Sequence, residues 1–156
     1  MSIITVIGSG LMGSAMSIPA ADNGHQVRLV GTPLDREIIR SLQEKGVHTT
    51  LPCAMPEGIC AFQFEDVREA LEGADLVICG VSSFGVDWFA EKALPLLPAG
   101  VPALNVTKGL LGHHDGSLET FPHFFARMRP DISFAAIGGP CTAYELGDRR
   151  QTLVCY

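Results

Sequence analysis

Hydrophobic and polar positions along the chain form short apolar runs that alternate with amphipathic segments. This alternation is typical of a mostly parallel β-sheet covered by helices on both faces, because buried parallel strands are apolar on both sides. The pattern therefore predicts a doubly wound α/β fold. It places strands at 3–7, 26–30, 76–79, 103–106, 134–137 and 153–155, and helices at about 11–23, 33–45, 66–73, 86–97, 118–129 and 140–147.

Turn and cap residues refine the predicted boundaries. Asn23-Gly24 suits the left-handed end of the first helix, and Thr32 with proline next to it predicts the start of the second. Asp66 and Glu69 resemble a capping box at the head of the third helix. The segment 47–64, which is rich in proline and glycine breakers, is predicted to hold short, irregular strands.

The first strand runs directly into a glycine-rich turn, Gly8-Ser9-Gly10-Leu11-Met12-Gly13. This is the G-x-G-x-x-G pattern, and it opens a helix, as a dinucleotide-binding turn requires. Gly8 permits the tight turn, Gly10 lets the backbone approach a diphosphate, and Gly13 allows the helix to pack closely on the strand. The sequence therefore predicts a Rossmann-type sheet with a diphosphate at the start of the first helix.

Three further strands end in segments that carry polar groups or glycine, at the sheet edge where such folds bind ligands. After strand 76–79, Ser83 is either a cofactor contact or only a helix cap. After strand 103–106, Lys108 either brings a cation to the crevice or is an exposed loop residue. After strand 134–137, Gly139 precedes Pro140, which is predicted at the first position of a helix. These segments are expected to face one crevice.

The end of the second strand bears on the choice of nucleotide. An NAD-specific site normally carries an acidic residue there to bind the ribose 2′-hydroxyl, but this chain has Val30-Gly31-Thr32. Thr32, with Arg36 one turn later, is a candidate 2′-phosphate site, although Thr32 is equally well interpreted as a helix cap. The expected cofactor is NAD or NADP, with NADP favoured.

Composition and charge exclude several other classes. The net charge of −6 and the scattered Lys and Arg residues argue against a nucleic-acid partner. Five cysteines without a C-x-x-C pair indicate free thiols, and the His113-His114-Asp115 cluster lacks the spacing of a metal site. The chain has no leader pattern and no apolar run of about 20 residues, so we expect a cytoplasmic protein without membrane insertion.

Taken together, the motifs resemble the N-terminal domain of the NAD(P)-dependent glycerol-3-phosphate dehydrogenase family. The resemblance covers essentially the whole chain, and its most specific parts are the Thr-Lys-Gly and Gly-Pro segments in this order. The blocks that carry it are Gly8 to Gly13, Asn23-Gly24-His25-Gln26-Val27, Gly73-Ala74-Asp75-Leu76-Val77, Val81-Ser82-Ser83, Thr107-Lys108-Gly109-Leu110 and Gly139-Pro140 through Glu145.

The resemblance implies a reaction and a set of site residues. The reaction is reversible hydride transfer between NAD(P)H and dihydroxyacetone phosphate, giving sn-glycerol 3-phosphate for glycerophospholipid metabolism. Lys108 is the expected catalytic residue, and Lys108, Gly139 and Cys141 are expected to face the substrate. Residues matching Leu11, Met12, Thr32 and Ala143 contact the nucleotide in that family, and with Gly8, Ser9, Gly10, Gly13, Ser83 and Lys108 they form the expected cofactor site.

The apolar segment 152–156 ends the chain like an interrupted core strand. We therefore expect 1–156 to be the dinucleotide-binding part of a longer two-domain enzyme, able to bind cofactor but inactive alone, because the family's helical C-terminal domain is absent. A homodimer is compatible with the sequence. Two alternatives stay open, namely a ketopantoate-type or other 2-oxoacid reductase domain, which shares the Gly24-His25 turn, and a non-catalytic NAD(P)-sensing module.

Overall fold

The main body of the protein is a parallel sheet of six strands in the order β3-β2-β1-β4-β5-β8, in a computed structural model that describes residues 1–155. Every strand pair in this sheet is parallel. The order reverses direction between β1 and β4, as in the doubly wound dinucleotide-binding fold. The strands are β1 (Ile3–Ile7), β2 (Gln26–Val30), β3 (Ile59–Phe62), β4 (Leu76–Cys79), β5 (Ala103–Asn105) and β8 (Phe134–Ala136).

Helices cover both faces of the sheet, which confirms the predicted fold class. They are α1 (Leu11–Asp22), α2 (Arg36–Lys45), α3 (Val67–Leu71), α4 (Val86–Trp88), α5 (Phe121–Met128) and α6 (Ala143–Gly147). Side chains of α1 and α2 pack with Val6, Val27 and Leu29 on one face. Alternate strand residues such as Ile7 and Val77 point to the other face, where they join Phe89 and Phe125 in a second core.

The predicted strand at 153–155 is wrong. Cys155 forms only an isolated antiparallel bridge with Gly138, and Leu153 is 62% exposed. Tyr156, which was assigned to the same strand, lies outside the described residues. The sixth strand of the sheet is β3, in the segment 47–64 where short, irregular strands were predicted, because pairing with β2 stabilises a run that carries weak local signals.

The helix predicted at 118–129 is wrong in its first turn. A two-stranded antiparallel hairpin, β6 (Leu110–Gly112) and β7 (Leu118–Thr120), occupies that part of the chain. The helix proper is α5, and Thr120 caps it by accepting a hydrogen bond from the N–H of His123 at 3.4 Å. The error arose because the strands of the hairpin are short and exposed, so apolar and polar residues do not alternate clearly along them.

Three predicted helix starts also differ. Thr32 does not cap α2, which begins at Arg36 after a turn. No side-chain hydrogen bond caps α3, so the proposed capping box of Asp66 and Glu69 is not formed. Pro140 precedes α6 and is not its first residue; a true capping box joins Thr142 to Glu145.

Candidate dinucleotide site at the sheet switch point

The glycine-rich turn lies at the carboxyl end of β1, where the strand order reverses toward β2 on one side and β4 on the other. Parallel strands that diverge in this way leave a crevice at their carboxyl ends, which is where doubly wound folds bind ligands. Gly8 opens the turn with φ of 110°, a backbone conformation that residues other than glycine rarely adopt. The position predicted for the motif is therefore confirmed by the fold.

Two motif glycines are required because backbone segments touch one another here. A Cβ atom on Gly13 would lie 1.9 Å from the carbonyl oxygen of Gly8. A Cβ atom on Gly8 would lie 2.7 Å from the carbonyl carbon of Gly80, and one on Gly80 would lie 2.9 Å from the oxygen of Gly8. Gly80 was not predicted as a site residue, because the sequence marks it only by its position directly after a buried strand.

Gly10 differs from these glycines because, apart from its two chain neighbours, no residue of 1–155 lies within 4 Å of the position its Cβ would take. It is also the residue that precedes α1, and no side chain caps this helix. The first N–H groups of an α-helix have no acceptor within the helix, and the helix dipole places partial positive charge there. This open space, bordered by unpaired donors, fits a diphosphate group.

Ser9, although it belongs to the motif, is fully buried. Its N–H donates to Asp35 Oδ2 at 3.3 Å, and its carbonyl oxygen accepts from Ser14 Oγ at 2.9 Å. Its own hydroxyl is buried without a partner among the described residues. Ser9 therefore holds the turn in place from behind, and its side chain does not reach the open space above Gly10.

A cavity of about 410 Å³ adjoins the glycine-rich turn, between the segments that follow β2 and β4. Among the side chains that line it are two strongly exposed apolar ones, Leu34 at 95% and Phe84 at 98% exposure. An exposed apolar pair beside a cavity suits a flat heterocycle. The complete lining is Gly8, Gly10, Thr32, Pro33, Leu34, Asp35, Gly80, Val81, Ser82, Phe84, Gly85 and Trp88.

Asp35 organises the turn that follows β2. Its Oδ2 atom accepts hydrogen bonds from the N–H and the hydroxyl of Thr32, both at 2.8 Å. The predicted 2′-phosphate residues are thus engaged with protein groups, because Arg36 forms an exposed ion pair with Glu65. The hydrogen bond from Arg36 lowers the pKa of the Glu65 carboxyl.

Ser83 is exposed in the helical turn Ser83–Gly85 that precedes α4, next to the cavity-lining Ser82 and Phe84. No side-chain hydrogen bond from Ser82 caps that turn. Gly85, not Ser83, is the residue that precedes α4, so Ser83 does not cap that helix, and its contact with the cofactor stays a prediction.

The second group of predicted residues meets on the other side of the turn. Lys108 Nζ donates to the carbonyl oxygen of Gly139 at 3.2 Å, and Gly139 has φ of 122°. Lys108, Gly139 and Cys141 line one small cleft with Met12, which reaches it from α1. The structure thus brings together residues from two of the three predicted strand ends with Met12 of the first helix, whereas the segment after β4 borders the other cavity.

The loop that carries Lys108 is fixed by its neighbours. Asn105 is buried and donates from Nδ2 to the carbonyl oxygen of Thr107 at 2.9 Å. Thr107 Oγ1 donates to the carbonyl oxygen of Val81 at 2.6 Å, which ties this loop to the end of β4. The Lys108 backbone therefore has a defined position, whereas its ammonium group is exposed.

Ala143 is the first residue of α6 and is buried against Ala15 and Ile18 of α1. The short helix α6 is supported by this packing and by its capping box, in which Glu145 accepts from the N–H and hydroxyl of Thr142, both at 2.9 Å. These hydrogen bonds lower the pKa of Glu145. Ala143 therefore fixes α6 against α1, and its contact with the nucleotide stays a prediction.

Comparison with known proteins gives the same assignment for nearly the whole chain. Residues 3–156 match the family model described as the N-terminus of NAD-dependent glycerol-3-phosphate dehydrogenase. The chain belongs to this family. Its sequence is 36% identical over 156 residues to the NADP(+)-dependent glycerol-3-phosphate dehydrogenase of Archaeoglobus fulgidus, with 99% of this chain and 46% of that protein covered.

Other members of the dehydrogenase family show similar relationships. The glycerol-3-phosphate dehydrogenase [NAD(P)+] of Bacillus pumilus is 33% identical, with 99% of this chain and 44% of that protein covered. The crystal structure of the Coxiella burnetii enzyme has a TM-score of 0.85 and 28% identity, with 98% of this chain and 45% of that chain covered. The chain therefore spans slightly less than half the length of these relatives. Within residues 1–155, no helix combines the length and apolar character needed to cross a membrane.

Proposed function

We propose that this chain holds the nicotinamide dinucleotide of a glycerol-3-phosphate dehydrogenase. The observation that carries the proposal is the open space above Gly10, where a glycine is not needed by the fold yet lies at the uncapped start of α1. A backbone position without a side chain, next to the free N–H donors at the start of α1, fits a diphosphate group. The family match favours this dehydrogenase over the ketopantoate-type alternative.

The dinucleotide would extend to both sides of the turn. On one side, the 410 Å³ cavity between the segments after β2 and β4 has room for the adenosine half, with Leu34 and Phe84 as its apolar walls. On the other side, the nicotinamide half would point toward the cleft of Lys108 and Gly139. The bound cofactor supplies or accepts the hydride, and the protein positions the two reacting carbons.

Lys108 is the proposed catalytic residue. Its ammonium group lies at the cleft where the phosphorylated ketone would bind, and one exposed hydrogen bond to Gly139 leaves further donors available. A cation at this point stabilises negative charge on the substrate oxygen and orients the substrate for hydride transfer. Gly139 and Cys141 form the adjoining wall.

For the nucleotide, we propose a preference for NADP. The ion pair of Arg36 with Glu65 is exposed, and such pairs contribute only about 0–1 kcal/mol, so the guanidinium is available to a 2′-phosphate. The Archaeoglobus fulgidus relative is named as NADP(+)-dependent, which supports the same choice. Arg36→Ala is expected to weaken NADPH binding about tenfold or more and leave NADH binding little changed. Arg40→Ala, on the same helix and also exposed, is the matched control.

The function is tested at two levels. Calorimetry on this chain measures the affinity for NADH and NADPH, and steady-state kinetics on the full-length protein compares dihydroxyacetone phosphate with ketopantoate. We expect nucleotide binding by the chain and turnover of dihydroxyacetone phosphate by the full-length enzyme. Lys108→Ala is expected to lower kcat by at least about 100-fold while changing nucleotide affinity much less.

Each level has its own contrary result. Absence of nucleotide binding by the folded chain rejects the whole proposal. Binding without oxidation of NADPH in the presence of either substrate supports the sensing module instead, and unchanged turnover in Lys108→Ala removes that residue from the mechanism.

A further inference from the structure

His48 is a buried polar residue in the irregular segment 47–58, outside the regular elements, and is 3% exposed. Its Nδ1 atom accepts hydrogen bonds from the N–H of Leu51 at 2.9 Å and of Thr50 at 3.2 Å. An accepting ring nitrogen carries no proton, so the proton of the neutral imidazole is on Nε2. Nε2 therefore donates to the carbonyl oxygen of Ser9, 3.0 Å away.

Ser9 is held from several parts of the chain at once. Besides His48, the hydroxyl of Ser14 donates to the same carbonyl oxygen, and Asp35 accepts from the Ser9 N–H. The residues on either side are glycines, which by themselves allow many backbone conformations. Side-chain hydrogen bonds to Ser9 therefore select the one conformation in which Gly10 faces the open space.

We propose that His48 is a positioning residue for the dinucleotide, fixing the glycine-rich turn through the carbonyl of Ser9. The inference rests on the proposed function, because it concerns how the turn receives the diphosphate. His48 is buried behind the turn and acts through the backbone of Ser9 alone. A turn that is already ordered loses less conformational entropy when the ligand binds, so affinity rises without any new ligand contact.

The two ring nitrogens make it possible to separate this role from a purely structural one. Nδ1 stabilises the segment 48–51, whereas Nε2 stabilises the turn. In His48→Gln, the side-chain amide reaches the position of Nε2 and keeps a donor for Ser9. In His48→Asn, the shorter amide keeps an acceptor near the position of Nδ1 and loses the donor to Ser9.

The experiment measures NADH and NADPH affinity by calorimetry and unfolding by urea for this chain and the two variants at pH 7.5. We expect His48→Asn to bind about fivefold to tenfold more weakly and His48→Gln to remain within about twofold of the unaltered chain. This order should hold whichever variant unfolds more easily. An affinity that is unchanged in His48→Asn, or that falls in step with stability in both variants, overturns the inference.

Two further outcomes are decided by additional measurements. If neither variant folds, Ser14→Ala removes the other side-chain donor to the same carbonyl oxygen; weaker binding then supports the inference and unchanged binding overturns it. If the unaltered chain binds neither nucleotide, the proposed function fails and this inference fails with it. Nucleotide binding by the unaltered chain, with no effect of any of these variants, rejects the inference alone.

Discussion

The two sides of the crevice are built in different ways. On the nucleotide side, Gly8, Gly13 and Gly80 bring three backbone segments into contact, and Ser9 is locked by buried hydrogen bonds. On the substrate side, Lys108 makes one exposed hydrogen bond to Gly139, which is itself exposed. Contacts within this chain therefore hold the side proposed for the nucleotide, whereas the side proposed for the substrate leaves donors of Lys108 available to other groups.

The largest expected effect comes from forcing the backbone contact apart. Gly13→Ala places a methyl group against the Gly8 carbonyl, and we expect the free energy of unfolding to fall by about 3 kcal/mol or more. Gly139→Ala also introduces strain, with its Cβ 2.8 Å from the oxygen of Leu153, but that neighbour lies in an exposed segment that can move. Urea unfolding compares the two. A greater loss in Gly139→Ala would contradict the difference drawn between the two sides.

The second effect acts on binding and leaves the fold intact. The methyl group of Gly10→Ala meets no atom of the described residues other than its chain neighbours, so stability should change by less than about 1 kcal/mol. Its methyl group would occupy the space proposed for the diphosphate, so NADPH affinity should fall at least about tenfold, as calorimetry can measure. Gly112→Ala, in the exposed hairpin with Leu118 Cδ2 4.0 Å from its Cβ, is the matched control. Full affinity in Gly10→Ala would place the nucleotide elsewhere.

The sequence was sufficient wherever a local pattern had one structural solution. Apolar runs such as 3–7 and 76–79 became central strands, and the glycine motif fell at the sheet switch point. Lys108 and Gly139 could be placed at one crevice because both follow strands that are parallel and adjacent. Fold class and the meeting of these residues at one edge of the sheet were therefore predictable from periodicity and from the rules of parallel sheets.

The errors arose at residues whose hydrogen-bond or strand partners lie far away in the sequence. Asp35 falls in the helix predicted at about 33–45, but it precedes α2 and bonds to Thr32 and to Ser9, which is 26 residues away in sequence. His48 falls in the segment 47–64 that was predicted to hold short, irregular strands, yet it is buried and its Nε2 donates a hydrogen bond to the carbonyl oxygen of Ser9, 39 residues away. The apolar run at 153–155 resembled a strand, but it does not pair along β8, and Cys155 forms only a bridge with Gly138. No local spacing encodes such pairings.

A third effect tests the support beneath the substrate side. Thr142→Ala removes the capping box of α6, a helix too short to be stable without its cap and its packing on α1. We expect a loss of about 1 kcal/mol in the free energy of unfolding, measured in urea, because the Thr142 hydroxyl accepts from the N–H of Glu145. Thr142→Ser keeps that hydroxyl and should behave like the unaltered chain. Equal stability of all three proteins would show that packing alone holds α6.

The smallest expected effect is a dependence of the free energy of unfolding on pH that comes from one side of the crevice. Burial lowers the pKa of His48 from its ordinary value of 6.5, against smaller opposing effects of the Ser9 carbonyl and the Asp35 charge. The unfolded chain therefore takes up a proton more readily than the folded one, so this contribution to stability is complete above pH 6.5 and is lost as pH falls below it. Protonation also removes the Nδ1 acceptor used by Leu51 and Thr50. Urea unfolding between pH 7.5 and 5.5 should show that the unaltered chain loses more stability than His48→Gln, by an amount on the order of 1 kcal/mol. Parallel pH profiles of the two proteins would mean that His48 is not the group that titrates, and that the nucleotide side is no more sensitive to acid than the substrate side.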